Sequence, residues 1–101
     1  MSDKTVVIFP IYKQHNIPDL VQICLNFLKK NATFQFIFVD DGCPIFPDYY
    51  HDVTNAGFIL RKHDKNLGKG AAVKTGALHA LTLPCKHIIF MDSDLSCSLD
   101  Q

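Results

Sequence analysis

Phe34-Gln35-Phe36-Ile37-Phe38-Val39 runs without interruption into Asp40-Asp41-Gly42, and that junction decides the fold. A short run dominated by aromatic and β-branched residues reads as a strand buried on both faces, which a parallel sheet covered by helices requires. The acids and the glycine that stop it mark a strand end and a turn. Working outward, Thr5 to Phe9 is a second such run, stopped by Pro10. Asn16 then offers a helix N-cap, and Ile17, Leu20, Val21, Cys24, Phe27 and Leu28 recur at helical spacing up to Asn31. On the other side, the Pro44/Pro47 region opens a loop and a short helix near residues 47–55, and Gly57 to Arg61 supplies a third, shorter strand. Between Leu67 and Leu83, Ala71, Ala72, Val73, Ala77, Leu78, Ala80 and Leu81 predict a helix with Gly68 and Gly70 at its start and Pro84 at its end. Lys86 to Met91 is the fourth strand. The β-α-β-α-β-α-β rhythm predicts an α/β, Rossmann-like parallel sheet with helices on both faces.

A chain of 101 residues is one domain with a single modest core. Its ten Lys and Arg balance ten acids, so bulk charge gives no reason to expect a nucleic acid or an anionic membrane surface as partner. All ten acids are Asp, a residue suited to caps, turns and metal sites rather than helix interiors. Arg61, Lys62, Lys65, Lys69 and Lys74 cluster in one later stretch. Cys24, Cys43, Cys85 and Cys97 form no C-x-x-C pair and read as free thiols in a reducing compartment. No apolar run approaches the ~18 residues of a membrane span, and no leader pattern opens the chain. The expected location is cytoplasmic.

Ligands of open α/β sheets bind beyond the carboxyl ends of the strands, so the polar residues there are the candidate site. After the first strand stand Pro10 and Tyr12; after the second, Asp40, Asp41 and Gly42; after the third, His63 to Asn66 and then Gly68-Lys69-Gly70; after the fourth, Asp92 and Asp94. An aromatic plane, fixed acceptors, a cation beside glycines and a carboxylate pair suit a nucleoside diphosphate with a hard divalent cation. Each has a plainer reading. Tyr12 can cover the sheet edge, Asp40-Asp41 can cap a turn, Gly68 and Gly70 can serve only close helix packing, and Asp92 and Asp94 reach one ion only if the backbone turns between them. Their joint occurrence favours the ligand.

Competing motifs fail on spacing. Gly68-Lys69-Gly70-Ala71-Ala72-Val73 has Val73 where a dinucleotide fingerprint needs Gly or Ala, and it follows the third strand. No G-x-x-x-x-G-K-[ST] loop and no G-x-S-x-G elbow is present. His15, His51, His63, His79 and His87 lack metal-ligand spacing and are expected on the surface or in packing roles.

Four segments in order resemble the family 2 inverting glycosyltransferases of the GT-A fold, most of all the branch of polyprenyl- and dolichyl-phosphate sugar synthases. They are Val7-Ile8-Phe9-Pro10-Ile11-Tyr12-Lys13, Phe38-Val39-Asp40-Asp41-Gly42, Asn66-Leu67-Gly68-Lys69-Gly70-Ala71-Ala72 and Ile89-Phe90-Met91-Asp92-Ser93-Asp94-Leu95-Ser96. The resemblance implies that residues 1–101 are the donor-binding N-terminal half of a GT-A domain, ending after the Asp-x-Asp motif. It implies that Tyr12 lies against the nucleobase with Pro10 shaping the turn, that Asp40 or Asp41 accepts a hydrogen bond from base or ribose, and that Lys69 approaches base or diphosphate. Asp92 and Asp94 would hold Mg²⁺ or Mn²⁺ against the diphosphate, Asp94 as the more direct ligand. The implied partners are a nucleotide-diphosphate sugar and an acceptor of the polyprenyl-phosphate kind, with the parent enzyme at the cytoplasmic face of a membrane. A general base is expected beyond Gln101, so the 101 residues alone would be inactive. Lys13 and Cys43 stand where the family usually has Asn and Ser. A different reading is a stand-alone nucleotide- and Mg²⁺-binding regulatory module; a third is a structural α/β unit whose acids only cap. A sheet of four strands also leaves an open edge, which predicts a homodimer through edge pairing.

Overall fold

Strand β1 (Thr5–Ile11) and strand β2 (Phe34–Asp40) form the centre of the sheet, paired in parallel from Thr5↔Phe34 to Ile11↔Asp40. The computed structural model describes residues 4–12, 17–42 and 49–91. Strand β3 (Ile59–Lys62) pairs with β2, strand β4 (His87–Phe90) pairs with β1, and the order across the sheet is β3-β2-β1-β4, all parallel. Helices α1 (Ile17–Leu28), α2 (Tyr49–Asn55) and α3 (Lys69–Ala80) are the crossovers.

The period of two along β1 and β2 divides the core into two layers. Val7, Phe9, Ile11, Phe36 and Phe38 point to one side, where they pack with Leu20, Val21 and Cys24 of α1, Val53 of α2 and Phe58. Phe9, Phe36, Phe38 and Phe58 form a continuous aromatic set with ring centroids 5.2 to 6.0 Å apart. Val6, Ile8, Ile37 and Val39 point to the other side, against Ala72 and Ala80 of α3. Small residues at four-residue spacing let that helix lie close. A Cβ on Gly76 would stand 2.5 Å from Ile8 Cγ2 and 3.2 Å from Val39 Cγ2.

Two expectations are corrected. Gly57 belongs to the end of α2 rather than to β3. Its φ is +84°, its N–H donates to the Thr54 carbonyl at 3.0 Å, and the Phe58 N–H donates to the Val53 carbonyl at 3.2 Å. That is a Schellman closure, which needs a left-handed residue and favours glycine. The fourth strand is not buried on both faces either. Among the described residues β4 is the outer strand beside β1, with Ile88, Ile89 and Phe90 36%, 45% and 62% exposed, because α1 and α2 cover one face of β1–β3 and α3 spends its small face on β1 and β2. An apolar run signals low affinity for water, and the strand order decides which run is covered.

The strand order also locates the crevice. The chain steps outward from β1 to β2 to β3 and then returns to the far side of β1 to form β4. The connection after β1 leads to β2 on one side and the connection after β3 returns to β4 on the other side of β1, so the strand order reverses at β1 and β4, the kind of switch point where open α/β sheets take ligands.

Candidate functional site

The carboxyl ends of β1, β2 and β3 are laced together by backbone bonds. The Asp41 N–H donates to the Ile11 carbonyl at 2.8 Å, and the His63 N–H donates to the Asp40 carbonyl at 2.9 Å. Tyr12, Asp40, Asp41 and His63 therefore occupy one edge. Pro10 sits beyond the last β1–β4 rung, Ile8↔Phe90, where its missing N–H removes no ladder bond. Tyr12 follows the last residue of β1, Ile11, and is 36% exposed.

Asp41 makes three side-chain hydrogen bonds at this edge. Its Oδ1 accepts the Leu67 N–H at 2.9 Å and lies 2.8 Å from His63 Nδ1, while its Oδ2 accepts the Gly68 N–H at 2.8 Å. Burial works to raise its carboxyl pKa, but the His63 hydrogen bond, the two amide bonds and the charge attraction of His63 together hold it below the ordinary value. A carboxylate has about four acceptor positions, and three are taken by the chain itself. The plainer sequence reading, Asp as a cap, is thus realised across 27 residues rather than within a local turn.

What Asp41 caps is the approach to α3. Gly68 is the N-cap, with φ 100° and ψ 158° and no side-chain cap bond of its own, a conformation open in practice only to glycine. Gly42, at φ +73°, lies under the same turn: a Cβ there would stand 2.1 Å from the Lys65 carbonyl carbon and 2.4 Å from the Asn66 nitrogen. Gly42 and Gly68 are therefore demanded by the backbone. Gly70 is not. Its φ is not positive, and a Cβ added to it would meet nothing within 4 Å. The packing of the described residues supplies no reason for glycine there, and none of them fills the space beside it. Lys69 occupies the first position of α3, whose first-turn N–H groups have no intrahelical acceptors and favour anions.

His63, expected as a surface or packing residue, is a connecting one. Its side chain is 8% exposed, and its Nε2 lies 2.7 Å from Thr75 Oγ1 on α3. No local signal could have marked it, since its partners stand 22 and 12 residues away.

Met91 donates its N–H to the Ile8 carbonyl at 3.0 Å, so the fourth strand delivers the chain to the same edge. Asp92 and Asp94 follow and lie outside the described residues. Among the described residues no group of three or more His, Cys or Asp side chains is placed to hold a metal ion, and no helix is long and apolar enough to cross a membrane.

Comparison with known proteins bears on this arrangement. The family model "Glycosyl transferase family 2" matches residues 6–101. The fold is similar to the crystal structure of TarS from S. aureus, with a TM-score of 0.58 and 23% identity over 90% of this chain. This chain covers 16% of that chain. No curated protein matches. The four-stranded parallel sheet with helices on both faces is the Rossmann-like core of the GT-A fold. With a family match that spans all four strands and the edge built by Tyr12, Asp41 and Gly68, the chain belongs to glycosyl transferase family 2.

Proposed function

We propose that residues 1–101 are the donor-binding part of a glycosyltransferase that moves a sugar from a nucleotide-diphosphate donor to an acceptor of the polyprenyl-phosphate kind. The observation that carries this reading is Gly70, a helix glycine that neither backbone conformation nor packing among the described residues requires, beside Lys69 at the helix start. A bulky anion approaching that turn supplies the missing reason. Tyr12 is the surface for the nucleobase, Pro10 shapes its turn, and Asp40 or Asp41, both buried at the strand end, accepts from base or ribose. Lys69 and the first amides of α3 receive the diphosphate. Asp41, with most of its acceptor positions already used, also holds the turn in place.

Asp92 and Asp94 are the proposed holders of Mg²⁺ or Mn²⁺. Carboxylate oxygens suit either ion, and the pair follows a strand that ends at the switch point. When bound, the ion would offset the negative charge of the departing nucleoside diphosphate.

Thermal unfolding with UDP, GDP and CMP, each with and without Mn²⁺, tests the reading. One nucleotide should raise the melting point in a metal-dependent way, with about 2.7 kcal/mol of stabilisation at 100 times its dissociation constant. Asp94→Asn should remove the metal dependence, and Lys69→Ala should weaken binding about tenfold. No shift with any nucleotide sinks the assignment.

A further inference from the structure

The turn that precedes α3 is held twice. Asp41 pins its backbone through the Leu67 and Gly68 amides, and the same carboxylate orients the imidazole of His63, which reaches onward to Thr75 in the body of the helix. Thr75 lies six positions beyond Lys69, about 9 Å along the helix axis. Helix α3 is therefore fixed to the end of β2 at two separated points, and two points along an axis set both its height over the sheet and its rotation.

The chemistry of the link is directional. An ionised carboxylate only accepts, so Nδ1 of His63 carries a proton toward Asp41, and in the neutral ring Nε2 is left to accept from the Thr75 hydroxyl. Each group thus has one defined partner on each side. The buried part of the α3 interface is Ala72, Gly76 and Ala80 against branched side chains of β1 and β2, a small-residue surface that allows close approach but resists sliding less than large interlocking side chains would. An apolar residue at position 63 would cover the same ground without fixing the helix along its axis.

We propose that His63 is a positioning residue for the donor turn: by joining Asp41 to Thr75 it sets where α3 presents Lys69 and its first amides. The role rests on the donor-site reading above, but its structural half is measurable without any nucleotide.

The test uses His63→Ala, Thr75→Val and Thr75→Ser in the full chain. Amide hydrogen exchange at Leu67 and Gly68 is measured without ligand, and the dissociation constants of UDP and GDP are measured with Mn²⁺. His63→Ala and Thr75→Val should each speed exchange at both amides about tenfold and weaken whichever nucleotide binds about fivefold, while Thr75→Ser, which keeps the hydroxyl, stays within about twofold of the parent in both. Exchange within twofold of the parent in Thr75→Val overturns the proposal, and that variant serves if His63→Ala does not fold. Faster exchange with unchanged affinity also overturns it, because the link would then be structural only. If the unsubstituted chain binds neither nucleotide, the donor-site reading fails instead, and the exchange rates alone decide whether His63 orders the turn.

Discussion

Asp41 and Gly68 meet across 27 residues of chain, with Asp41 Oδ2 accepting the Gly68 N–H at 2.8 Å. That bond ties the end of the central strand β2 to the N-cap of α3, and so links the core directly to the residue that precedes Lys69.

Asp41→Ala should destabilise the chain by about 3 kcal/mol and Asp41→Asn by about 2 kcal/mol in urea unfolding at neutral pH, since buried donors lose a charged acceptor. The Asn variant keeps one carbonyl oxygen for the amides. A loss under about 0.5 kcal/mol for the Ala variant would show that the bonds are not made in solution.

The same carboxylate carries an acid limb of stability. Its folded pKa lies below the ordinary value, so its contribution is complete above the unfolded Asp pKa of about 4 and disappears as pH falls through the lower folded value. The stability gap between the parent chain and Asp41→Asn should therefore close as pH falls below about 4. Unfolding midpoints compared at several acid pH values check this. A gap that widens below about pH 4 has the wrong sign.

Glycines 42 and 70 should respond oppositely to alanine. At Gly42 the new Cβ meets the backbone of Lys65 and Asn66, which cannot swing aside, so Gly42→Ala should cost about 3 kcal/mol or more. At Gly70 the space is open, so Gly70→Ala should stabilise by about 0.5 kcal/mol while weakening nucleotide binding. A Gly70→Ala chain that binds nucleotide as tightly as the parent removes the reason given for that glycine.

Residues 1–101 by themselves should associate through the edge at β4. Ile88, Ile89 and Phe90 stand open on an edge strand, which presents both apolar surface and ladder groups. Sedimentation velocity should show concentration-dependent association that Ile89→Lys abolishes, with a stability change under about 1 kcal/mol. A parent chain that stays monomeric at all concentrations refutes the edge pairing.

Among the described cysteines, Cys85 should alkylate in the native chain and Cys24 only after unfolding. Burial pushes the Cys24 thiol up to about 12, which leaves almost no thiolate, whereas Cys85 is only partly buried and donates its S–H to the Ala80 carbonyl at 3.6 Å. Mass spectrometry after brief iodoacetamide treatment reads the order directly.

The elements and their direction were legible in the chain alone. Thr5–Ile11 and Phe34–Asp40 are apolar runs that stop at turn chemistry, and Lys69–Ala80 is a small-residue helix between Gly68 and Pro84, because strand and helix follow from local periodicity and local breakers. Parallel strands then force their polar ends to one edge, which is why Tyr12, Asp40, Asp41 and Lys69 could be grouped without coordinates. The exposure of β4 could not be read, since it depends on the order β3-β2-β1-β4, which no local pattern encodes. Nor could the roles of Asp41 and His63. A hydrogen bond between residues 22 or 27 positions apart leaves no trace in the spacing of either, and only the packed sheet brings the end of β2, the end of β3 and the start of α3 within the few ångströms at which a carboxylate, an imidazole and two amides act on one another.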